Sequence, residues 1–243
     1  MSEFQDKVVV ITGGTQGIGR CTAEMFRSAG AKVCVIDLQD KPSNLEVDLY
    51  FKGNISQEEV LCQFADAVLS KYRRIDYLVN NALPLFKGIA ECTYDEFNYA
   101  LRVGVTAPFM LTKLFMNSFN NGAAVVNTSS SRDRMSQPQS ESYTAAKGGI
   151  AALTHALAVS LSGKVRVNSI SPGWIETKGA VYEGPDASQH PAGRVGRPED
   201  IANAVLFLCS ERAGFITSEN ICVDGGMTKL MIYHDDHGWT YEG

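Results

Sequence analysis

A chain of 243 residues, 44% of them hydrophobic and 20% charged, is long enough to bury one substantial core. Its formal net charge of -5, with no dense run of lysine or arginine, excludes a surface built to hold nucleic-acid phosphates. No apolar run approaches the roughly 20 residues that span a bilayer, so neither nucleic acid nor membrane is an expected partner.

The cysteines at 21, 34, 62, 92, 209 and 222 form no C-x-x-C pair, and several sit in apolar runs such as KVCVID. They read as reduced, mostly core thiols. The start, MSEFQDKVVVITGG, has no basic segment leading into an apolar one. The expectation is a cytoplasmic protein.

In chain order the pattern alternates strand and helix. KVVVITGG is a short apolar run ending in glycines, and IGRCTAEMFRSAG then carries helical spacing through Ile18, Ala23, Met25 and Phe26 as far as Gly30. AKVCVIDL is a second strand. Ser56 with Glu59 predicts a capping box for the helix QEEVLCQFADAVLSKY. IDYLVNNA is a strand, residues 93–119 a long helix, and GAAVVNTSSS a strand. A helix over 141–163, the strand KVRVNSISPG and a loop over 174–197 follow, then the helix PEDIANAVLFLCSE and a last strand in ENICVDGG. The strands are near-continuous apolar runs, which fits a mostly parallel sheet flanked on both faces by helices. The fold class is α/β, a single doubly wound domain.

TGGTQGIG places Gly13, Gly17 and Gly19 between the first strand and the first helix. A sharp turn there, open to phosphates at the helix start, suits a dinucleotide. Asp37 ends the second strand, 18 residues past Gly19. There it can accept hydrogen bonds from ribose hydroxyls and repel an extra phosphate. Thr15, Gln16, Leu38 and Gln39 offer no basic group to offset it. NAD is therefore expected over NADP.

Tyr143 and Lys147 stand four residues apart in the helix that follows the serine-rich strand end, so they share a face. Elsewhere such a pair is ordinary helix surface; here it follows a serine-rich strand end in a chain that carries a dinucleotide loop. Ser129, Ser130 and Ser131 all remain candidates for a serine beside them.

Together TGGTQGIG, NNA at 80–82, VNTSSS, YTAAK, SPGWIET, GRVGRPEDIA and VDGG resemble the short-chain dehydrogenase/reductase family, from about Lys7 to Gly226. The resemblance implies a Rossmann-type catalytic domain over 1–226 and an aromatic, polar tail over 227–243. It selects Ser130, which lies 13 residues before the tyrosine, as the catalytic partner of Tyr143 and Lys147. Cofactor contacts are implied at Gly13, Thr15, Gln16, Gly17, Ile18, Gly19, Asp37, Asn54, Ile55, Asn81, Ala82, Pro172, Gly173, Ile175 and Thr177, besides Tyr143 and Lys147. The implied activity is hydride transfer between a secondary alcohol or ketone and NAD, in a homodimer or homotetramer. Lys147 is expected to be cationic and to lower the Tyr143 pKa. A sugar or polyol dehydrogenase, or a non-catalytic NAD-binding regulatory subunit, are the alternatives.

The chain departs from the family at several places. Gly104 stands where an asparagine is usual, Leu83 follows NNA where glycine is usual, Asn54 replaces an acidic residue near the adenine, and Ser218 replaces a glycine. Substrate walls are expected after Ser131, at Leu83 to Phe86, and in the loop bearing Trp174, Val181, Tyr182 and His190. In the tail, YHDDHGW reads as a polar turn rather than a metal site, and Trp239 and Tyr241 as anchors on a neighbouring subunit.

Overall fold

The computed structural model describes residues 3–238 and 240. A seven-stranded sheet runs β3-β2-β1-β4-β5-β6-β7, and every neighbouring pair is parallel. The strands are β1 (Val8–Thr12), β2 (Lys32–Asp37), β3 (Leu49–Lys52), β4 (Ile75–Asn80), β5 (Phe119–Thr128), β6 (Val165–Pro172) and β7 (Asn220–Val223). The strand order reverses between β1 and β4, the doubly wound arrangement in which ligands lie beyond the carboxyl ends of the strands.

Alternate residues of each strand enter opposite cores. Val8, Val10, Cys34, Ile36 and Val125 meet Phe64 of α2 (Glu58–Tyr72) and Leu111 and Phe115 of α4 (Ala107–Phe115). Val9, Ile11, Val33, Val35 and Val126 meet Phe26 of α1 (Gly17–Ser28) and Ile201 and Val205 of α7 (Pro198–Cys209). On that second face Phe4, Phe26 and Tyr77 pack with centroids 5.1 to 5.9 Å apart. Such pairs add about 0.5–1.5 kcal/mol beyond the area they bury.

Several expectations are corrected. β3 gave no strand signal because it is a half-exposed edge strand. Ser56 and Glu59 form no capping box: α2 starts after Gln57 without a side-chain cap, and Ser56 N–H donates instead to Asn54 Oδ1 at 3.0 Å. The box is at α3 (Tyr94–Leu101), where Thr93 and Glu96 bond each other's backbone N–H. The loop over 174–197 contains a single-turn helix, α6 (Pro185–Ser188). Of the six cysteines, Cys34 and Cys209 are buried and the other four are half-buried, all as free thiols.

The long middle helix is interrupted by a π turn over Arg102–Thr106, which joins α3 to α4. Pro108, at the start of α4, has no N–H to give back to the preceding turn. The wider turn absorbs this: Ala107 N–H donates to Arg102 O, five residues back. Ser218, just before β7, has φ +74, a left-handed conformation that costs a side-chain-bearing residue about 1–2 kcal/mol.

Candidate active site

At the carboxyl ends of β1, β2, β4, β5 and β6 lies a cleft of about 550 Å³. One wall is the turn between β1 and α1. Gly13 has φ +71, and a Cβ there would come within 2.8 Å of Ala82 Cα. Gln16, Gly17 and Ile18 line the cleft where α1 begins. That helix start has no side-chain cap and no acidic residue in its first turn. Its free N–H groups and dipole suit a pyrophosphate.

Asp37 is buried at the same wall. Its Oδ2 accepts Thr15 N–H at 3.0 Å and Thr15 Oγ1 at 2.8 Å, and its Oδ1 accepts Gln39 N–H at 3.0 Å. The carboxylate is thus fixed in place, with one of its roughly four acceptor sites, on Oδ1, left for a ribose hydroxyl. Lys52, opposite Asp37 in the strand register, pairs with Asp40 at 2.7 Å. Leu38, Gln39, Gly53, Asn54 and Ile55 complete this end.

Most of the sequence-predicted cofactor residues line the cleft: Gly13, Gln16, Gly17, Ile18, Asp37, Asn54, Ile55, Asn81, Ala82, Pro172, Gly173, Ile175 and Thr177. Thr15 and Gly19 stand behind it. Thr15 is spent on Asp37, and Gly19 lies against the Gly13 carbonyl, where any side chain would collide. Thr12 carried no sequence signal beyond its place before the glycines. Its Oγ1 accepts the N–H groups of both Asn81 and Ala82 at 3.0 Å and sets the β4 loop.

Ser130, Tyr143 and Lys147 meet at the other end of the cleft. Tyr143 and Lys147 sit on α5 (Glu141–Ser160). A buried polar chain holds that helix to the sheet: Asn80 donates to Asn127 at 2.8 Å, and Asn127 donates to Thr154 at 3.0 Å. Ser129 Oγ donates to Lys147 O at 2.9 Å, so the serine next to Ser130 clamps the helix. Ser130 hydrogen-bonds Tyr143. Lys147 Nζ donates to Thr128 O at 2.6 Å and lies 5.5 Å from the Tyr143 ring centroid.

The electrostatics differ from the expectation. Burial pushes the Lys147 pKa down to about 7, because an ammonium loses its hydration there. Burial raises the Tyr143 phenol, against smaller lowering effects of the Ser130 hydrogen bond and the Arg132 charge. The protein's own groups therefore leave Tyr143 above its ordinary value, and Lys147 is not among the causes that lower it.

The departures from the family pattern also find places. Gly104, in the π turn, faces α5 and the β4 loop. A Cβ there would stand 2.8 Å from Ala146 Cβ and 3.4 Å from Pro84. The space an asparagine would take is filled by neighbours, which accounts for the glycine. Leu83 lies at the mouth of the cleft, 74% exposed. Trp174 packs on Tyr182 at 4.6 Å and on His190 at 6.3 Å. These residues and the exposed Val181 pack on one another or face solvent and line neither of the cavities described here.

A second cavity has a volume of about 490 Å³. It is lined by the Ser131 to Gln137 segment and by tail residues including Leu230, Ile232 and Tyr233. The segment after Ser131, where a substrate wall is expected, thus meets the tail across this cavity, a contact with no signal in the sequence. Trp239 and Tyr241 lie outside the described residues. No helix among the described residues is long and apolar enough to cross a membrane.

The profile of a family described as enoyl-(acyl carrier protein) reductase matches residues 13–228. The chain belongs to the short-chain dehydrogenase/reductase family, as oxidoreductases that use an NAD(P)-type cofactor. It is 40% identical to an uncharacterized oxidoreductase of Thermotoga maritima, over 96% of this chain and 100% of the relative. An apo SCOR enzyme from Clostridium thermocellum superposes with TM-score 0.90 at 44% identity, covering 98% of each chain. The aldohexose dehydrogenase of Thermoplasma acidophilum superposes with TM-score 0.88 at 26% identity, covering 97% of this chain and 99% of that one.

Proposed function

We propose that the chain is an NAD-dependent dehydrogenase interconverting a secondary alcohol and a ketone, with Tyr143 as the acid–base group. The convergence of Ser130, Tyr143 and Lys147 on a cleft that fits a dinucleotide carries this reading. Asp37 favours NAD: its carboxylate would repel a ribose phosphate, and Lys52, opposite it in the strand register, is already paired with Asp40.

When bound, oxidised nicotinamide supplies the hydride acceptor and a positive charge near the phenol. In the oxidative direction Tyr143 Oη takes the hydroxyl proton of the alcohol; in reduction it returns one to the forming alkoxide. Ser130 Oγ holds the substrate oxygen beside Tyr143. Lys147 donates to Thr128 O and keeps further N–H groups for a ribose hydroxyl.

The likeness to an aldohexose dehydrogenase supports a second reading, in which the alcohol is that of a sugar. A panel of cyclic alcohols, polyols and sugars, followed by NADH absorbance, separates the two. The decisive variant is Tyr143→Phe. It should still bind NAD and lose about 10²–10⁴-fold in kcat. Full turnover by that variant would remove Tyr143 from the chemistry. NAD binding without turnover by the wild-type chain across the panel would favour a regulatory subunit.

A further inference from the structure

The loop after β6 is expected to wall the substrate, yet its aromatic residues turn to one another and build the turn that carries Lys178. Glu176 is the hub of that turn. Its carboxylate accepts the N–H groups of Lys178, Gly179 and Ala180 and the hydroxyl of Tyr182. Tyr182 packs on Trp174, and Trp174 on the buried His190. Ile175 pairs with Gly196 as an isolated bridge, which fixes the base of the turn.

The turn meets the start of α1. Thr177 Cγ2 would stand 3.2 Å from a Cβ at Gly17, so the residue next to Lys178 touches the glycine turn. Lys178 itself lines the cleft and is exposed. Among the described lining residues the only lysines or arginines are Lys147, at the Tyr143 end, and Lys178. Arg20, in the first turn of α1, is already paired with Glu24 at 2.8 Å. Lys178 has no ion-pair partner among the described residues. The nearby Glu176 carboxylate is occupied by its N–H and O–H donors, which hold it below the usual carboxylate range.

We infer that Lys178 is a cofactor-anchoring residue that takes the pyrophosphate of the dinucleotide, held at the start of α1 by the Glu176 hub and the Trp174–Tyr182 packing. This rests on the dinucleotide reading of the cleft and adds to it a residue for the phosphates. The charge balance calls for one: a pyrophosphate is doubly negative, whereas a helix start offers about half a positive charge. An ammonium on a flexible stem meets a phosphate as a point charge and needs no fixed fork geometry.

The test reads binding, so it does not depend on hydride transfer. Dissociation constants for NADH are measured by fluorescence in the wild type, Lys178→Gln and Lys178→Arg, with ADP-ribose as a competitor that lacks the nicotinamide. At about 0.1 M salt Lys178→Gln should weaken both ligands about tenfold, while Lys178→Arg stays within about threefold of the wild type. At about 1 M salt, where screening sets in beyond roughly 3 Å, the Lys178→Gln loss should shrink to about threefold. Unchanged affinity in Lys178→Gln, an equal loss in Lys178→Arg, a loss for NADH alone, or a loss of one size at both salt concentrations overturns the assignment. So does a wild type that binds neither ligand, which would take the dinucleotide reading with it. NADPH bound as tightly as NADH, with the Lys178→Gln loss intact, would instead remove the Asp37 preference and leave the anchor standing.

Discussion

Lys147 shows how a functional residue can work against the fold that holds it. An ordinary lysine titrates at 10.5, whereas this one is pushed down to about 7. Above pH 10.5 the folded and unfolded chains both carry a neutral amine, and burial costs nothing. As pH falls from there towards 7, the unfolded chain takes up a proton that the folded chain refuses, so stability declines. Below pH 7 both are protonated and the loss is constant. Lys147→Met should therefore raise the melting temperature at pH 7 by roughly 6–12 °C, equivalent to about 3 kcal/mol. Near pH 10.5 the gain should vanish. Thermal scans of both chains at the two pH values check this, and an equal gain at both would refute the burial argument. The Tyr143–Lys147 pair was legible in the sequence because four-residue spacing is local. The depressed lysine and the service of Thr15 to Asp37 were not, because each depends on residues distant in sequence.

Between residue and domain, the π turn is the element with the clearest cause. Pro108 withholds a donor, the turn widens, and Gly104 is carried against α5. Restoring the family's asparagine should therefore not restore a function. Gly104→Asn should destabilise the chain by about 1–3 kcal/mol, the usual cost of overfilling a packed site, with no gain in turnover. Urea unfolding alongside steady-state kinetics reads both; a rise in kcat at unchanged stability would show that the helix gives way freely. The helix itself was legible across 94–115, because its apolar spacing carries through the interruption, but the expected run to 119 was too long: the helix ends at Phe115 and Phe119 opens β5. The turn was not, since periodicity does not record which carbonyl a missing N–H leaves unserved. β3 stayed hidden for a related reason: an edge strand with one half-open face has no continuous apolar run.

At the scale of the molecule, the alternating apolar runs made the parallel sheet legible, but not the order of its strands. That order brings the ends of β1, β2, β4, β5 and β6 to one cleft. A ligand spanning it ties together elements from across the chain, so binding should be visible as global stability. At 100 times its dissociation constant, NAD should add about 2.7 kcal/mol. For a chain of this size that is a rise of roughly 5–11 °C in melting temperature. NADP at equal concentration should give much less, since Asp37 opposes its extra phosphate. Equal shifts would reject the proposed NAD preference. The contact of Gly104 with Pro84 and Ala146 reaches further, into the order in which changes can accumulate. Three positions far apart in the chain share one small volume, so what is harmful at one becomes acceptable only after another has shrunk. A route from this chain to an asparagine at 104 must pass through Ala146 first, whose Cβ would stand 2.8 Å from the new one, while Pro84 at 3.4 Å is in ordinary contact. The three sites then vary as a linked set, whatever substrate the enzyme meets.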